Sequence, residues 1–363
     1  MKTSDSQLDS APIRIGIAEW QEGDAIASEG EKLLRALGRE PVLFSAQRPP
    51  PPGLDAVFVT GPFGSMTPLG KYLESLGSGE RPRLVWFITE QLPDPQLPRR
   101  SIILLGRLRS AVERAAYRRS EDGGWRLRTG WSGLTRYGHR FRYAGDAEWL
   151  REAGLLDLLV TGSPWRAEQL RGLGHDPLVV PSPSYYPGWG ADLGLDRDIP
   201  VLWIGKTGSR RRLRLLDRLE ADLERRGIPL LRIDGIEQPY VFGEARTRLL
   251  NRTKIVVNLL RARWDNNAMR YALAAQNGAL LVSEPALPHT GFIPGKHFIE
   301  VPVGQMADRI ASLLDDEVQR REIADRALAE IRKASKLDVY ARVCSELERR
   351  SETPGLGYKL RQN

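Results

Sequence analysis

WDNNAMRYALAAQNGALLVSEP, residues 264–285, reads as one complete helix-to-strand unit. Asn266 and Asn267 give a polar helix start, Arg270 stands one turn in, small residues fill the helix, Gly278 stops it, and ALLVS (279–283) follows as a buried strand. The free N–H groups at such a helix start favour an anion. On either side the same rhythm continues. VLWIG (201–205), PLLRID (229–234), KIVVNLL (254–260) and HFIEV (297–301) have strand length and composition. Helical patterns separate them at Arg211–Arg226, Gly243–Arg252, Asn267–Asn277 and Gln305–Leu314, and two more, Glu317–Lys333 and Leu337–Arg350, close the chain. Strands and helices in this alternation imply a parallel sheet with right-handed crossovers.

Upstream the grammar repeats in IRIGIA (13–18), PVLFS (41–45), AVFVT (56–60), RLVWFIT (83–89), LDLLVT (156–161) and PLVVP (177–181). A helix is predicted over Ala25–Leu37, where Ile26, Leu33, Leu34 and Leu37 share one face and Gly38 supplies the stop. The stretch PSPSYYPGWGADLGLDRDIP (181–200) is too rich in proline, glycine and aspartate for either element and reads as a linker. A chain of 363 residues exceeds what one core usually serves. The expectation is therefore an α/β protein of two Rossmann-type parallel-sheet domains, 1–190 and 200–363, facing a central cleft and closed by C-terminal helices.

Composition narrows the classes. The chain is 41% hydrophobic and 28% charged, and no stretch approaches the roughly 20 apolar residues of a spanning helix. The start MKTSDSQLDSAP lacks the apolar core of a secretion signal, and the single cysteine, Cys344, can form no internal disulfide, so a cytoplasmic location is expected. The net charge of +8 suits anionic partners. Arginines crowd the span 99–142, among them Arg107, Arg114, Arg118, Arg119, Arg126, Arg128, Arg136, Arg140 and Arg142. They read as a solvated face or as a lipid or acceptor surface, peripheral to the inner face of an anionic membrane. No recognised nucleic-acid-binding module contains them, which argues against nucleic acid.

Ligands of an open parallel sheet bind at the carboxyl ends of its strands. That shortlist holds Gly61 and Pro62, Thr89 to Gln91, Thr161 to Ser163, Gly205 and Lys206, Asp234 and Gly235, Arg261 to Asp265, and Ser283 with Glu284. In GKTGSRRR (205–212) the glycines permit close backbone approach, while Lys206, Arg210 and Arg211 supply charge for a phosphate. A Walker loop is excluded because Pro200 stands where its first glycine belongs, and no G-x-S-x-G elbow marks a serine hydrolase. His139, His175, His289 and His297 have no ligand spacing with cysteine or acids, so no metal is expected.

The segments VLWIGKTGSRRR, LLNRTKIVVNLL, MRYALAAQNGALLVSEP, FIPGKHFIEVP and QMADRIASLLDDEVQRREIADRAL resemble, in order and spacing, the nucleotide-sugar domain of GT-B-fold glycosyltransferases, especially the group-1 and spore-maturation (CgeB-like) branch. The resemblance covers residues 200 to 335; over 1 to 180 only the βα rhythm and WFITEQLPDP are shared. It implies transfer of a sugar from a nucleoside-diphosphate sugar to a glycan, lipid-linked or small-molecule acceptor, with retention of configuration and neither metal nor cofactor. Lys206 and Arg270 would then act catalytically on the departing diphosphate, with Glu90 on the acceptor side. Gly205, Arg210, Arg211, Asp265, Asn266, Asn267, Gly278 and Glu284 would bind the donor. Two acidic positions of the family are occupied here by Asn266 and Leu273, leaving Asp265 and Glu284 as neighbouring carboxylates. The alternatives are a non-catalytic sugar-nucleotide or glycan-binding relative and a sugar-nucleotide epimerase.

Overall fold

The computed structural model describes residues 13–61, 65–121, 123–128, 138–266, 268–288 and 290–352. Of the positions singled out above, Pro62, Arg136, Asn267 and His289 lie outside them. The first sheet takes β1 (Arg14–Glu19), β2 (Glu40–Ser45), β3 (Ala56–Gly61), β4 (Arg83–Ile88), β7 (Leu158–Thr161) and β8 (Leu178–Val179), in the order β2-β1-β3-β4-β7-β8. Helices α1 (Ala25–Ala36), α2 (Thr67–Ser75), α3 (Arg99–Ala116), α4 (His139–Glu152) and α5 (Pro164–Gly172) connect them, with a small antiparallel hairpin of β5 (Tyr117–Arg119) and β6 (Trp125–Leu127) after α3.

The second sheet is β9 (Ile199–Ile204), β10 (Leu230–Ile233), β11 (Thr253–Asn258), β12 (Leu280–Ser283) and β13 (Ile299–Glu300), ordered β10-β9-β11-β12-β13 and parallel throughout. Its helices are α6 (Arg210–Glu224), α7 (Gly243–Asn251), α8 (Ala268–Gln276), α9 (Val303–Asp315), α10 (Glu317–Ile331) and α11 (Lys336–Glu352). Alternate residues of β9 face opposite layers, and both layers are closed. Val201 and Trp203 join Leu216 and Leu219 of α6 and Ile310 of α9, whereas Leu202 and Ile204 join Tyr271 and Ala272 of α8 and Ala327 of α10. Burial on both faces is why these strands read as unbroken apolar runs rather than alternating ones.

Compactness divides the chain at points other than the expected 1–190 and 200–363. One unit ends at Val160 and takes the chain back from Val343; the other is Thr161–Arg342. The return has a physical cause, since Arg39 pairs with Glu348 at 2.6 Å, Arg83 donates to the Leu347 carbonyl at 2.8 Å, and Val343, Cys344 and Leu347 are buried. Nor is 181–200 a free linker. The Gln276 side chain brackets the backbone N–H and carbonyl of Tyr186, the Asn251 side chain bonds Ala191 and Leu193, and Tyr185 bonds Ala334 and Lys336 through the backbone. Its proline and glycine density therefore marks a strap fixed to the second unit.

In the first unit, α3 and α4 cross at Gly106 and Gly145, where a Cβ on Gly145 would lie 1.9 Å from the Gly106 carbonyl oxygen. Polar groups fill this seam. Ser110 donates to Asp146 at 2.7 Å, Glu113 takes Arg109 and Arg142, and Arg107 pairs with Glu148 and Glu152. Arg114 lies over the Trp149 ring. Arg107, Arg109, Arg114 and Arg142 are thus engaged between two helices, whereas Arg118, Arg119, Arg126 and Arg128 are exposed, as a solvated face requires.

Asp146 is fully buried and one of its oxygens has no partner. Burial lifts its carboxyl to about 6, against the opposing pull of the Ser110 hydroxyl and Arg142. The folded chain then binds a proton that the unfolded chain, with an ordinary carboxyl near 4, has already lost, so stability falls as pH rises from about 4 to about 6. Asp146→Asn is expected to remove that loss and to stabilise the protein near neutral pH by roughly 2 kcal/mol. Urea unfolding at pH 4 and pH 7 checks it: a variant whose pH dependence still parallels the wild type would refute the assignment.

Candidate active site

In the order β10-β9-β11 the chain adds β10 on one side of β9 and β11 on the other, and ligands of an open parallel sheet bind outside the carboxyl ends of the strands at such a switch point. Here β9 runs out into Gly205, whose φ of 111° excludes other residues on conformational grounds. A Cβ at Gly205 would also sit 3.3 Å from a terminal nitrogen of Arg270. Gly208, at φ 66°, turns the chain into Ser209, which caps α6 by accepting from the Arg212 N–H at 3.2 Å.

Capping fixes where α6 begins, and the 100° step per residue then sends three consecutive arginines in three directions. Arg210 is exposed, and none of its side-chain nitrogens is ion-paired among the described residues. Arg211 forms a bidentate pair with Glu284 at 2.9 and 2.6 Å and also reaches the Leu260 carbonyl. Arg212 turns inward. It is 4% exposed, donates to the Lys206 carbonyl at 3.0 Å, stands 3.9 Å from Asp265, and keeps a buried Nε with no acceptor.

Arg270 occupies the switch point itself. Its Nε donates to the Ile204 carbonyl at the end of β9 (3.0 Å), and its Nη1 to Asn258 Oδ1 (3.0 Å) and the Leu259 carbonyl (3.4 Å) at the end of β11. The guanidinium lies 4.0 Å from the centre of the Trp203 ring. One buried carboxylate, Asp265, serves this group, bonding Arg261 through the Arg261 N–H and Nε (3.1 Å). Arg212, Arg261 and Arg270 thus gather around this carboxylate, and the exposed Lys206 stands at the rim.

The crowding of charge is recorded in the proton affinities. Burial, then the neighbouring Arg212 and Arg261 against the pull of Asp265, holds Arg270 well below the usual guanidinium range. Burial likewise lowers Arg212 to about 10, opposed by Asp265. For Asp265 burial pushes upward, but Arg261 and Arg212 outweigh it and the carboxyl is lowered. Burial and like-charge neighbours thus disfavour the charged guanidiniums here, and a bound anion would favour them. Asn266 sits beside it with a buried amide nitrogen that has no acceptor.

The structure brings Gly205, Lys206, Asp265, Asn266 and Arg270 together at one location, with Arg210 at its exposed edge, while Asn267 lies outside the described residues. Three others are engaged elsewhere. Arg211 and Glu284 are spent on each other, and Glu284 also accepts from the Leu260 N–H. Gly278 ends α8 at φ 67°, about 12 Å along the helix from Arg270, where a Cβ would strike Arg197 and Asp192. Leu273, at one of the family's acidic positions, is 5% exposed in the apolar core. Glu90 follows β4 in the first unit. Trp203, Asn258 and the inward course of Arg212 were not anticipated; the Ser209 cap, which sets the helix phase, was the available signal for the last.

Beyond β10, Asp234 caps the next turn by accepting from the Ile236 and Glu237 N–H groups (2.8 and 2.9 Å). The loop it starts presents Tyr240 and Phe242 to solvent, ring centres 6.3 Å apart, at the strand end adjoining β9.

A family profile described as glycosyl transferase-like matches residues 211–342, which include most of this site. No curated protein matches the chain by sequence. Among solved structures it is similar to Anabaena Alr3699/HepE in complex with UDP, at TM-score 0.54 and 11% identity over 93% of this chain and 100% of that one. AviGT4, a glycosyltransferase involved in avilamycin A biosynthesis, follows at TM-score 0.50 and 13% identity over 94% and 99%. The fold is that of the GT-B glycosyltransferases. S. aureus TarM, at TM-score 0.52 and 9% identity, covers 81% of this chain, which spans only 56% of TarM.

Proposed function

We propose that the chain is a GT-B glycosyltransferase that takes a nucleoside-diphosphate sugar in its second unit. The observation that carries this reading is the convergence of buried Arg212 and Arg270 with half-buried Arg261 at the sheet's switch point, a cluster of cationic donors that suits a diphosphate. Breaking the bond between the anomeric carbon and the phosphate leaves negative charge on the departing oxygens. Donors already in place lower that barrier without reorganising, which is the largest single contribution in many enzymes. Arg270 is fixed by three hydrogen bonds and an aromatic face, so its position is set before the ligand arrives. With cations supplied by side chains, the reading includes metal independence. If configuration is retained, the leaving phosphate itself accepts the acceptor hydroxyl's proton. Tyr240 and Phe242 offer flat apolar faces for the nucleobase.

The acceptor in this reading is a glycan, a lipid-linked sugar or a small molecule. A second reading, binding without turnover, is favoured by one observation: Leu273 offers a core side chain where the resembling family carries an acid. A thermal-shift panel of UDP, GDP, ADP and dTDP tests the shared premise, with UDP first because the HepE and TarM structures hold it. One nucleotide at 100 times its Kd is expected to stabilise by about 2.7 kcal/mol. Stabilisation by none would overturn both readings. Release of free sugar from the matching sugar nucleotide then separates the transferase from the binder.

A further inference from the structure

Helix α3 is built inside out. Its buried face carries Ile102, Gly106, Ser110, Glu113 and Ala116, including the polar seam with α4, while its outward face carries Leu104, Leu105 and Leu108 at 67%, 42% and 60% exposure. Leu97, just before the helix, is also exposed, and Ala111 and Ala115 extend the outward stripe by helical spacing. Large aliphatic side chains grouped on one exposed face mark a contact surface, whereas single ones do not. Arg99 and Arg100 flank the stripe at the helix start, exposed and without an ion pair among the described residues; Arg107 stands along its side. No helix among the described residues is long and apolar enough to cross a membrane. A helix with leucines on one face and arginines at its margin lies in the plane of a bilayer surface.

We propose that the outward face of α3 docks the protein on an anionic lipid bilayer, leucines in the interface and Arg99 and Arg100 among the headgroups. Charge decides the occupant. Arg99 and Arg100, exposed beside the leucines, are neutralised by anionic headgroups. This surface belongs to the first unit and stands independently of the donor site, so its test needs no nucleotide.

The test is co-sedimentation of the whole chain with vesicles of phosphatidylcholine alone and of phosphatidylcholine mixed with phosphatidylglycerol. Binding is expected to the mixed vesicles only. The Leu104→Ser and Leu108→Ser changes should each weaken it about tenfold. Arg99→Gln with Arg100→Gln should weaken it about thirtyfold. All four side chains are exposed, so melting temperatures should match the wild type. No binding to either vesicle, equal binding to both, or undiminished binding by the leucine variants would overturn the proposal. So would a concentration-dependent dimer that the leucine variants dissolve, since the occupant would then be a second copy.

Discussion

Arg270→Ala is expected to abolish nucleotide-induced stabilisation and to lower kcat/KM by about two to three orders of magnitude, with a much smaller change in the stability of the free protein. The two effects separate because removal of this side chain has opposing consequences for folding. Hydrogen bonds to Ile204, Asn258 and Leu259 are lost, together with the Trp203 face. Repulsion from Arg212 and Arg261 is relieved at the same time. For the bound diphosphate nothing offsets the loss. Arg270→Lys should rescue little, since an ammonium cannot donate to both strand ends from one plane. The check is a paired measurement, melting of the free variant and its nucleotide titration. If the free variant loses stability in step with activity, Arg270 is a structural tie and the anion site must be reassigned.

The second large effect is structural. Gly145→Ala places a methyl carbon 1.9 Å from the Gly106 carbonyl oxygen and 2.4 Å from its carbon. Both obstacles are backbone, so no side-chain rotation relieves them and the two helices must part. Overpacking of this kind costs about 3 kcal/mol, and more here because the Ser110, Glu113 and Asp146 seam is pulled open with it. Gly106→Ala, whose nearest contacts are 3.1 to 3.3 Å, should cost less. Gly172→Ala, with nothing within 4 Å, should be neutral or slightly stabilising. Urea midpoints that failed to rank Gly145→Ala as the most destabilised of the three would show that the helices separate cheaply.

The strands were legible because parallel sheets bury both faces, so VLWI and KIVV announce themselves whatever they pair with. Helix α3 was not, because its periodicity points outward, and a pattern reader assumes leucines face the core. At the site, local chemistry carried part of the way. Gly205, Lys206, Asp265 and Arg270 follow from strand ends and helix starts. What could not be read was who consumes whom. Arg211 and Glu284 are 73 residues apart, and only folding shows that each neutralises the other. Arg212, one position on, inherits the inward direction by helical phase alone. The linker misled for a related reason: proline and glycine describe backbone shape, while the side chains that bind the strap, Gln276, Asn251 and Asn277, lie up to 90 residues later.

The return of the chain at Val343 bears on the order of events during synthesis. The strands of the first sheet are all made by Val179, yet the partners of Arg39 and Arg83 arrive only at Glu348 and Leu347. At ribosomal rates of 5 to 20 residues per second that interval is roughly 10 to 35 s. During it Arg39 and Arg83 have no carboxyl-terminal helix to bind, so the second unit, contiguous in sequence, is the one able to finish first. Translation rate thus becomes a variable in this protein's assembly, and the earliest-made sheet is the last to be sealed.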